Sequence, residues 1–230
     1  RVYTEERDRP ALLIVDQRVS MFFGTVHAMK SVTAAEAAAL AARRLIDQGD
    51  RVGGIIFSDD GLAEMKPARS QRALRRFITS LADANCALDA NLPAVEPMSL
   101  NRPLTAAARI ARPGSLVVVL SDFDGIDDET RKLFRDLARR CDVLLVPVWD
   151  PSSGNLPDDL KIIASDGELQ VEIDIGSEAT RTALEEHAKG RMETLLDWSR
   201  RFGMPMLPLS AGEPTLPQMV RLLGAGRRTA

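Results

Sequence analysis

The sequence predicts an α/β fold: a doubly wound, mostly parallel sheet with helices on both faces and one antiparallel edge strand. Three observations predict it. Four apolar runs are continuous rather than alternating, which suits strands covered on both faces. Segments with helical spacing lie between those runs. After the second run, a polar stretch follows a tight Asp-Asp-Gly turn, where an edge strand fits.

The four runs are ALLIVD (Ala11 to Asp16), RVGGIIFS (Arg51 to Ser58), SLVVVLSD (Ser115 to Asp122) and CDVLLVPVWD (Cys141 to Asp150). The first helix, Lys30 to Gln48, is alanine-rich and is closed by Gly49, a good residue just past a helix end. The second, Ser70 to Asn85, repeats apolar residues at Ala73, Leu74, Phe77, Ile78 and Leu81. A shorter helix spans Pro103 to Ala111. A fourth, Asp127 to Arg140, opens with acids and closes with Arg139 and Arg140, as the helix dipole favours. GLAEMKP, Gly61 to Pro67, is the antiparallel edge strand. The weak alternation of Asp158 to Asp174 reads as a terminal hairpin. Ser177 to Phe202 is helical, MPMLPLSA (Met204 to Ala211) is a short strand, and a last helix lies near Leu216 to Leu223. With no internal repeat and no low-complexity linker, residues 1–230 read as a single domain, 151–230 being its C-terminal part.

Composition narrows the function classes. The 30 basic and 33 acidic residues are interspersed and the net charge is −3, so no electrostatic footprint for nucleic acid is present. Two cysteines, Cys86 and Cys141, form no Cys-x-x-Cys pattern, and with only two histidines a tetrahedral zinc site is not expected. Cys141 opens a buried strand and reads as a core thiol; a reducing cytoplasmic setting fits. No stretch approaches the ~18 consecutive apolar residues of a membrane span, so no membrane contact is expected from this segment. Arg1 is not an initiator methionine, and an upstream segment that reaches a membrane is compatible with it.

In an open parallel sheet, ligands bind where loops converge at the carboxyl ends of the strands. Asp16 and Asp122 stand at two such ends, with Ser20 and Ser121 close in sequence and Ser99 in the loop before the third helix. Asp16, Ser20, Ser99 and Asp122 could supply about four of the six oxygens that Mg²⁺ requires. The alternative for the first segment is that Asp16 and Ser20 only cap a turn. Met21 to Gly24 either tucks under the sheet end or exposes Phe22 or Phe23 at the rim as a partner anchor. Lys30 and Ser31, at the first helix start, either pin an acid or are solvated.

The pattern Asp16-x-Arg18-x-Ser20 after a buried strand resembles the Asp-x-Ser-x-Ser of von Willebrand factor A domains, where it opens a metal-ion-dependent adhesion site. The wider likeness is to the bacterial MoxR-associated proteins of domain-of-unknown-function family 58. It is carried by RVYTEERDRP (Arg1 to Pro10), VDQRVSMFFGT (Val15 to Thr25), KSVTAAEAAALAA (Lys30 to Ala42), GDRVGGIIFSD (Gly49 to Asp59) and ARPGSLVVVLSDFDG (Ala111 to Gly125). The resemblance implies a von Willebrand A-like fold and a protein-interaction module. It further implies partnership with a MoxR-type AAA+ ATPase in assembly, remodelling or metal insertion for a client complex. The family normally has a further N-terminal portion, often with transmembrane helices.

Matched by position, Asp16, Ser20 and Asp122 fall on metal-site residues, and Ser99, or alternatively Thr105, supplies the loop hydroxyl. Arg18 departs from the pattern: it stands where the family has the middle serine, removing one oxygen and adding a charge. A unit charge ~4 Å away at an effective dielectric near 20 is worth about 4 kcal/mol, so a divalent ion would be repelled by roughly twice that. Two arrangements stay open. The guanidinium turns outward and leaves a weakened Mg²⁺ site, or it folds inward onto Asp16 or Asp122 and replaces the ion, with no cofactor needed. The partner-facing set is then Asp16, Arg18, Ser20, Phe22, Ser99 and Asp122. A rival class is a Mg²⁺-dependent phosphatase of the haloacid-dehalogenase type, with Asp122 and Asp124 as nucleophile and acid and Asp158-Asp159 as the later pair.

Overall fold

The computed structural model describes residues 9–89, 96–154, 161–165, 170–174 and 178–224. Strand β1 (Pro10–Asp16) leads through a 3-10 turn at Val19–Met21 to helix α1 (Lys30–Asp47). Strands β2 (Arg51–Phe57) and β3 (Leu62–Ala68) precede α2 (Gln71–Cys86) and α3 (Asn101–Ile110). Then come β4 (Leu116–Ser121), α4 (Asp128–Ala138) and β5 (Asp142–Trp149). The pair β6 (Lys161–Ser165) and β7 (Gln170–Asp174) is followed by α5 (Glu178–Phe202), β8 (Leu209–Ser210) and α6 (Thr215–Gly224).

The main sheet runs β3-β2-β1-β4-β5-β8, parallel except for β3, which pairs antiparallel with β2. This is the expected doubly wound sheet with its antiparallel edge. The hairpin strands β6 and β7 pair with each other in a separate two-stranded sheet. One hydrophobic cluster joins one face of the sheet to α1, α2 and α6 through residues such as Ala38, Leu74, Phe77 and Met219. The other joins the opposite face to α3, α4 and α5 through Leu104, Phe134, Leu195 and Trp198. Burial on both faces is why β1, β2 and β4 carry apolar residues without alternation.

Local chemistry sets the ends. Ser70 caps α2 by accepting from the Ala73 amide at 3.1 Å, and Asp127 with Thr130 forms a reciprocal capping box on α4. Gly49 closes α1 with φ of +93°, a conformation glycine adopts without a Cβ penalty. The expected strand from Met204 to Ala211 shrinks to Leu209–Ser210, preceded by a single bridge between Met206 and Leu145. Pro205 and Pro208 carry no N–H, so the ladder cannot run through them.

The β3 edge is defended by Pro67 and the exposed Lys66 and Glu64, and its register shifts between Val52 and Gly54 of β2. Two glycines of β2 make room for what crosses them. A Cβ on Gly53 would lie 2.5 Å from the Met65 carbonyl oxygen, and one on Gly54 would lie 2.3 Å from Cε2 of Phe77. Gly54→Ala is therefore expected to cost about 1–3 kcal/mol in urea unfolding, since the buried Phe77 ring must leave its seat. An unchanged midpoint would mean that the ring yields without loss of packing.

Candidate functional site

Strand order reverses between β1 and β4: the chain goes to β2 and β3 on one side and to β5 and β8 on the other. A crevice opens at the carboxyl ends of such a pair, and both candidate acids stand there. The parallel register pairs Val15 with Leu120, so Asp16 and Ser121 follow side by side.

Asp16 is wholly buried and Arg18 is 3% exposed. The guanidinium folds inward. Its Nε donates to both Asp16 oxygens at 3.0 and 3.1 Å, and one terminal nitrogen, Nη2, donates to Asp16 Oδ2 at 2.7 Å. The same nitrogen lies 3.7 Å from Asp122 Oδ1. The other, Nη1, donates to the carbonyl oxygens of Met98 at 3.0 Å and Asp124 at 3.2 Å. The guanidinium carbon lies 5.4 Å from the centroid of the Phe57 ring. The Arg18 amide and the Ser121 hydroxyl complete the shell of Asp16, at 3.0 and 2.6 Å. Lys30, half-buried at the start of α1, donates to Asp122 Oδ2 at 2.6 Å, so it pins an acid rather than pointing to solvent. Arg191 from α5 ion-pairs with Asp124.

Electrostatics follow from this placement. Burial pushes the Asp16 carboxyl above its ordinary value against the opposing pull of Arg18. Burial likewise pushes Asp122 up, but Lys30 and Arg191 outweigh it and hold that carboxyl below the ordinary value. Burial would lower Arg18, yet Asp16 and Asp122 keep it above the ordinary arginine value. The core of the site is therefore a guanidinium locked between carboxylates.

The metal candidates divide. Asp16 and Asp122 come together across the guanidinium. The Ser20 hydroxyl is buried and has no hydrogen-bond partner among the described residues. Ser99 is exposed, and its oxygen accepts from the Asn101 amide at 3.2 Å, while Thr105 lies exposed on α3. Both Asp16 oxygens are engaged and a cation already stands between the two acids, so this donor set does not fit a six-oxygen divalent site. Among the described residues no cluster of three or more histidine, cysteine or acidic side chains could hold a metal ion. Of the Met21–Gly24 segment, Met21 joins the core, whereas Phe22 and Phe23 are half-buried.

Two acids that the sequence reading left out fix the loops around the crevice. Asp59, after β2, accepts from the Val19 amide at 2.8 Å and from the Met98 amide at 3.0 Å, tying the loop that bears Arg18 to the loop whose Met98 carbonyl receives it. Asp150, buried after β5, accepts from the Thr25 amide at 2.9 Å and its hydroxyl at 2.7 Å. It also accepts from the Ser152 amide at 2.9 Å and the Ser152 hydroxyl. The signal was present, since IVD, FSDD, LSD and VWD each end an apolar run on an acid. Phe123 has φ of +57°, which costs a non-glycine residue of order 1–3 kcal/mol. That turn aims Asp122 and the Asp124 carbonyl at Arg18, and the buried Phe123–Phe134 pair, 6.2 Å apart, holds it.

The phosphatase alternative is not supported. Asp122 is engaged by Lys30 and Arg18, Asp124 pairs with Arg191, and Asp158-Asp159 lie outside the described residues. Cys141 is a buried thiol 3.4 Å from the Arg112 carbonyl oxygen, and burial raises its pKa.

The family model described as "Protein of unknown function DUF58" matches residues 1–194. The chain belongs to the DUF58 family. An uncharacterized protein of Mycobacterium tuberculosis is 29% identical over 230 residues, covering 98% of this chain and 69% of its own length. The fold is that of von Willebrand A domains. The conserved hypothetical protein BatB from Bacteroides thetaiotaomicron superposes with a TM-score of 0.55 at 13% identity, over 95% of this chain and 98% of its own. The SpRpn10 VWA domain superposes with a TM-score of 0.54 at 9% identity, over 92% and 93%. Among the described residues of this DUF58 domain, no helix is long and apolar enough to cross a membrane.

Proposed function

We propose that this DUF58 domain is a protein-interaction module in which Arg18 has taken the place of the metal ion, acting in the cytoplasm beside a MoxR-type AAA+ ATPase in the assembly or remodelling of another complex. The ATPase partnership rests on the family resemblance. The single observation that carries the metal-free reading is the Arg18 guanidinium seated on Asp16 and reaching toward Asp122. An adhesion site that holds a metal offers its ion to a partner's carboxylate. Here the cation is buried and its nitrogens are engaged by Asp16, Asp122 and two carbonyls, so a partner engages the rim instead. The rim carries large apolar side chains at the same sheet end: Val19 at 50% exposure, Val26 at 72% and Trp149 at 41%.

Arg18→Ser restores the family's middle hydroxyl and tests this directly. The wild-type melting temperature is expected to be indifferent to Mn²⁺. The variant should melt lower and recover in Mn²⁺, by about 2.7 kcal/mol when the ion is at a hundred times its Kd. A rise in wild-type Tm with Mn²⁺ would overturn the metal-free reading. For the partner, Val19→Asp combined with Trp149→Ala should reduce capture of a purified MoxR-type ATPase from the same genome in a chain whose circular dichroism matches wild type. Undiminished capture would place the contact elsewhere.

A further inference from the structure

We propose that a groove between α1 and α2, on a helical face away from the crevice, is a docking site for an acidic amphipathic helix of a protein partner. The groove has a volume of about 670 Å³. Its floor is apolar, made by Ala39, Leu40, Leu74 and Ile78, and its walls carry Arg43 and Arg75. Ile78 is 38% exposed, a large aliphatic left open on a helix whose other outward residues are polar or small.

Charge argues for the occupant. In the first two turns of α2, Arg72, Arg75 and Arg76 project without an acid among them, and among the described residues none of the three has an ion-pair partner. Of the three, Arg75 lines the groove, and Arg72 and Arg76 stand beside it on the same two turns, so like charges crowd one another in the free chain. The cluster stands on a chain of net charge −3, which makes the basic patch a local exception. Carboxylates placed over the groove relieve that mutual repulsion. Arg43 pairs with Asp47, but both side chains are about half exposed, and such a pair is worth little enough to exchange for a partner's acid.

Shape and chemistry decide the class of partner. Two helices of 18 and 16 residues extend about 27 and 24 Å, and the cleft between them suits a third helix laid in by anchors at i, i+3, i+4 and i+7. None of the residues lining the groove is aromatic, so bases find no stacking platform. A shallow seat flanked by arginines, with one open isoleucine, is also unlike the broad apolar face that inserts into a bilayer.

The probe is a fluorescein-labelled synthetic helix with leucines at the anchor spacing and glutamates elsewhere, followed by anisotropy. Saturable, salt-sensitive binding is expected, weakened roughly tenfold or more by Arg75→Glu and by Ile78→Asp and unaffected by Val19→Asp on the crevice rim. Arg75→Gln gives an intermediate loss in a chain whose circular dichroism matches wild type, which separates docking from misfolding. The proposal is overturned by absence of saturable binding, by equal binding to Arg75→Glu, or by equal binding of the lysine counterpart peptide. Tighter Arg75-dependent binding of a polyuridine oligonucleotide or of phosphatidylglycerol vesicles also overturns it.

Discussion

Arg18→Ala is expected to destabilise the domain by about 3–5 kcal/mol, because it strands the carboxylate of Asp16, wholly buried, without its counter-charge. The loss is more than a pair's attraction: the carbonyls of Met98 and Asp124 also lose their donor. The sign of the pH dependence identifies the cause. Asp16 is already raised by burial, and without Arg18 it is raised further, so its neutral form favours the folded state. The deficit of Arg18→Ala relative to wild type should therefore shrink as pH falls from neutral through the raised value of Asp16 in the folded protein. Urea unfolding across pH measures this. A double-mutant cycle with Asp16→Asn and Arg18→Met should show coupling of ~2 kcal/mol or more, and coupling below ~0.5 kcal/mol would mean that the pair is not what holds the crevice.

Asp150→Ala is the second large loss, of about 2–4 kcal/mol, since it removes the acceptor for two amides and two hydroxyls. Hydrogen exchange should accelerate at the amides of Thr25 and Ser152 before the core is affected. Burial pushes Asp150 up, but the hydroxyls and amides of Ser152 and Thr25 outweigh it and hold it below the ordinary value of 3.8. A depressed carboxyl contributes stability that is full above its unfolded value and is lost as pH falls through the lower, folded one. Asp122 and Asp127 are depressed too, the latter by the Thr130 amide. Acid unfolding should thus steepen as pH drops below about 4, and Asp150→Asn should flatten that slope. An unaltered slope would show that Asp150 titrates alike in the folded and unfolded chains.

The sequence by itself determined the architecture, because the evidence for it is local and redundant. Continuous apolar runs ending on Asp16, Ser58, Asp122 and Asp150, the glycine after α1 and the Asp127 cap each report on their own neighbourhood. The structure agreed with them to within a few residues. The strand expected from Met204 to Ala211 is the exception, because two prolines outweigh an apolar composition there. The candidate crevice was legible only as a set of strand-end residues. Tertiary structure alone decided which way Arg18 points, because that depends on acceptors 80 and 106 residues away along the chain, at Met98 and Asp124. The same holds for Lys30 reaching Asp122 and for Asp59 and Asp150 anchoring loops from other strands. A long cationic side chain takes its conformation from whichever carboxylates the fold brings within a few ångströms, and sequence spacing carries no record of that distance.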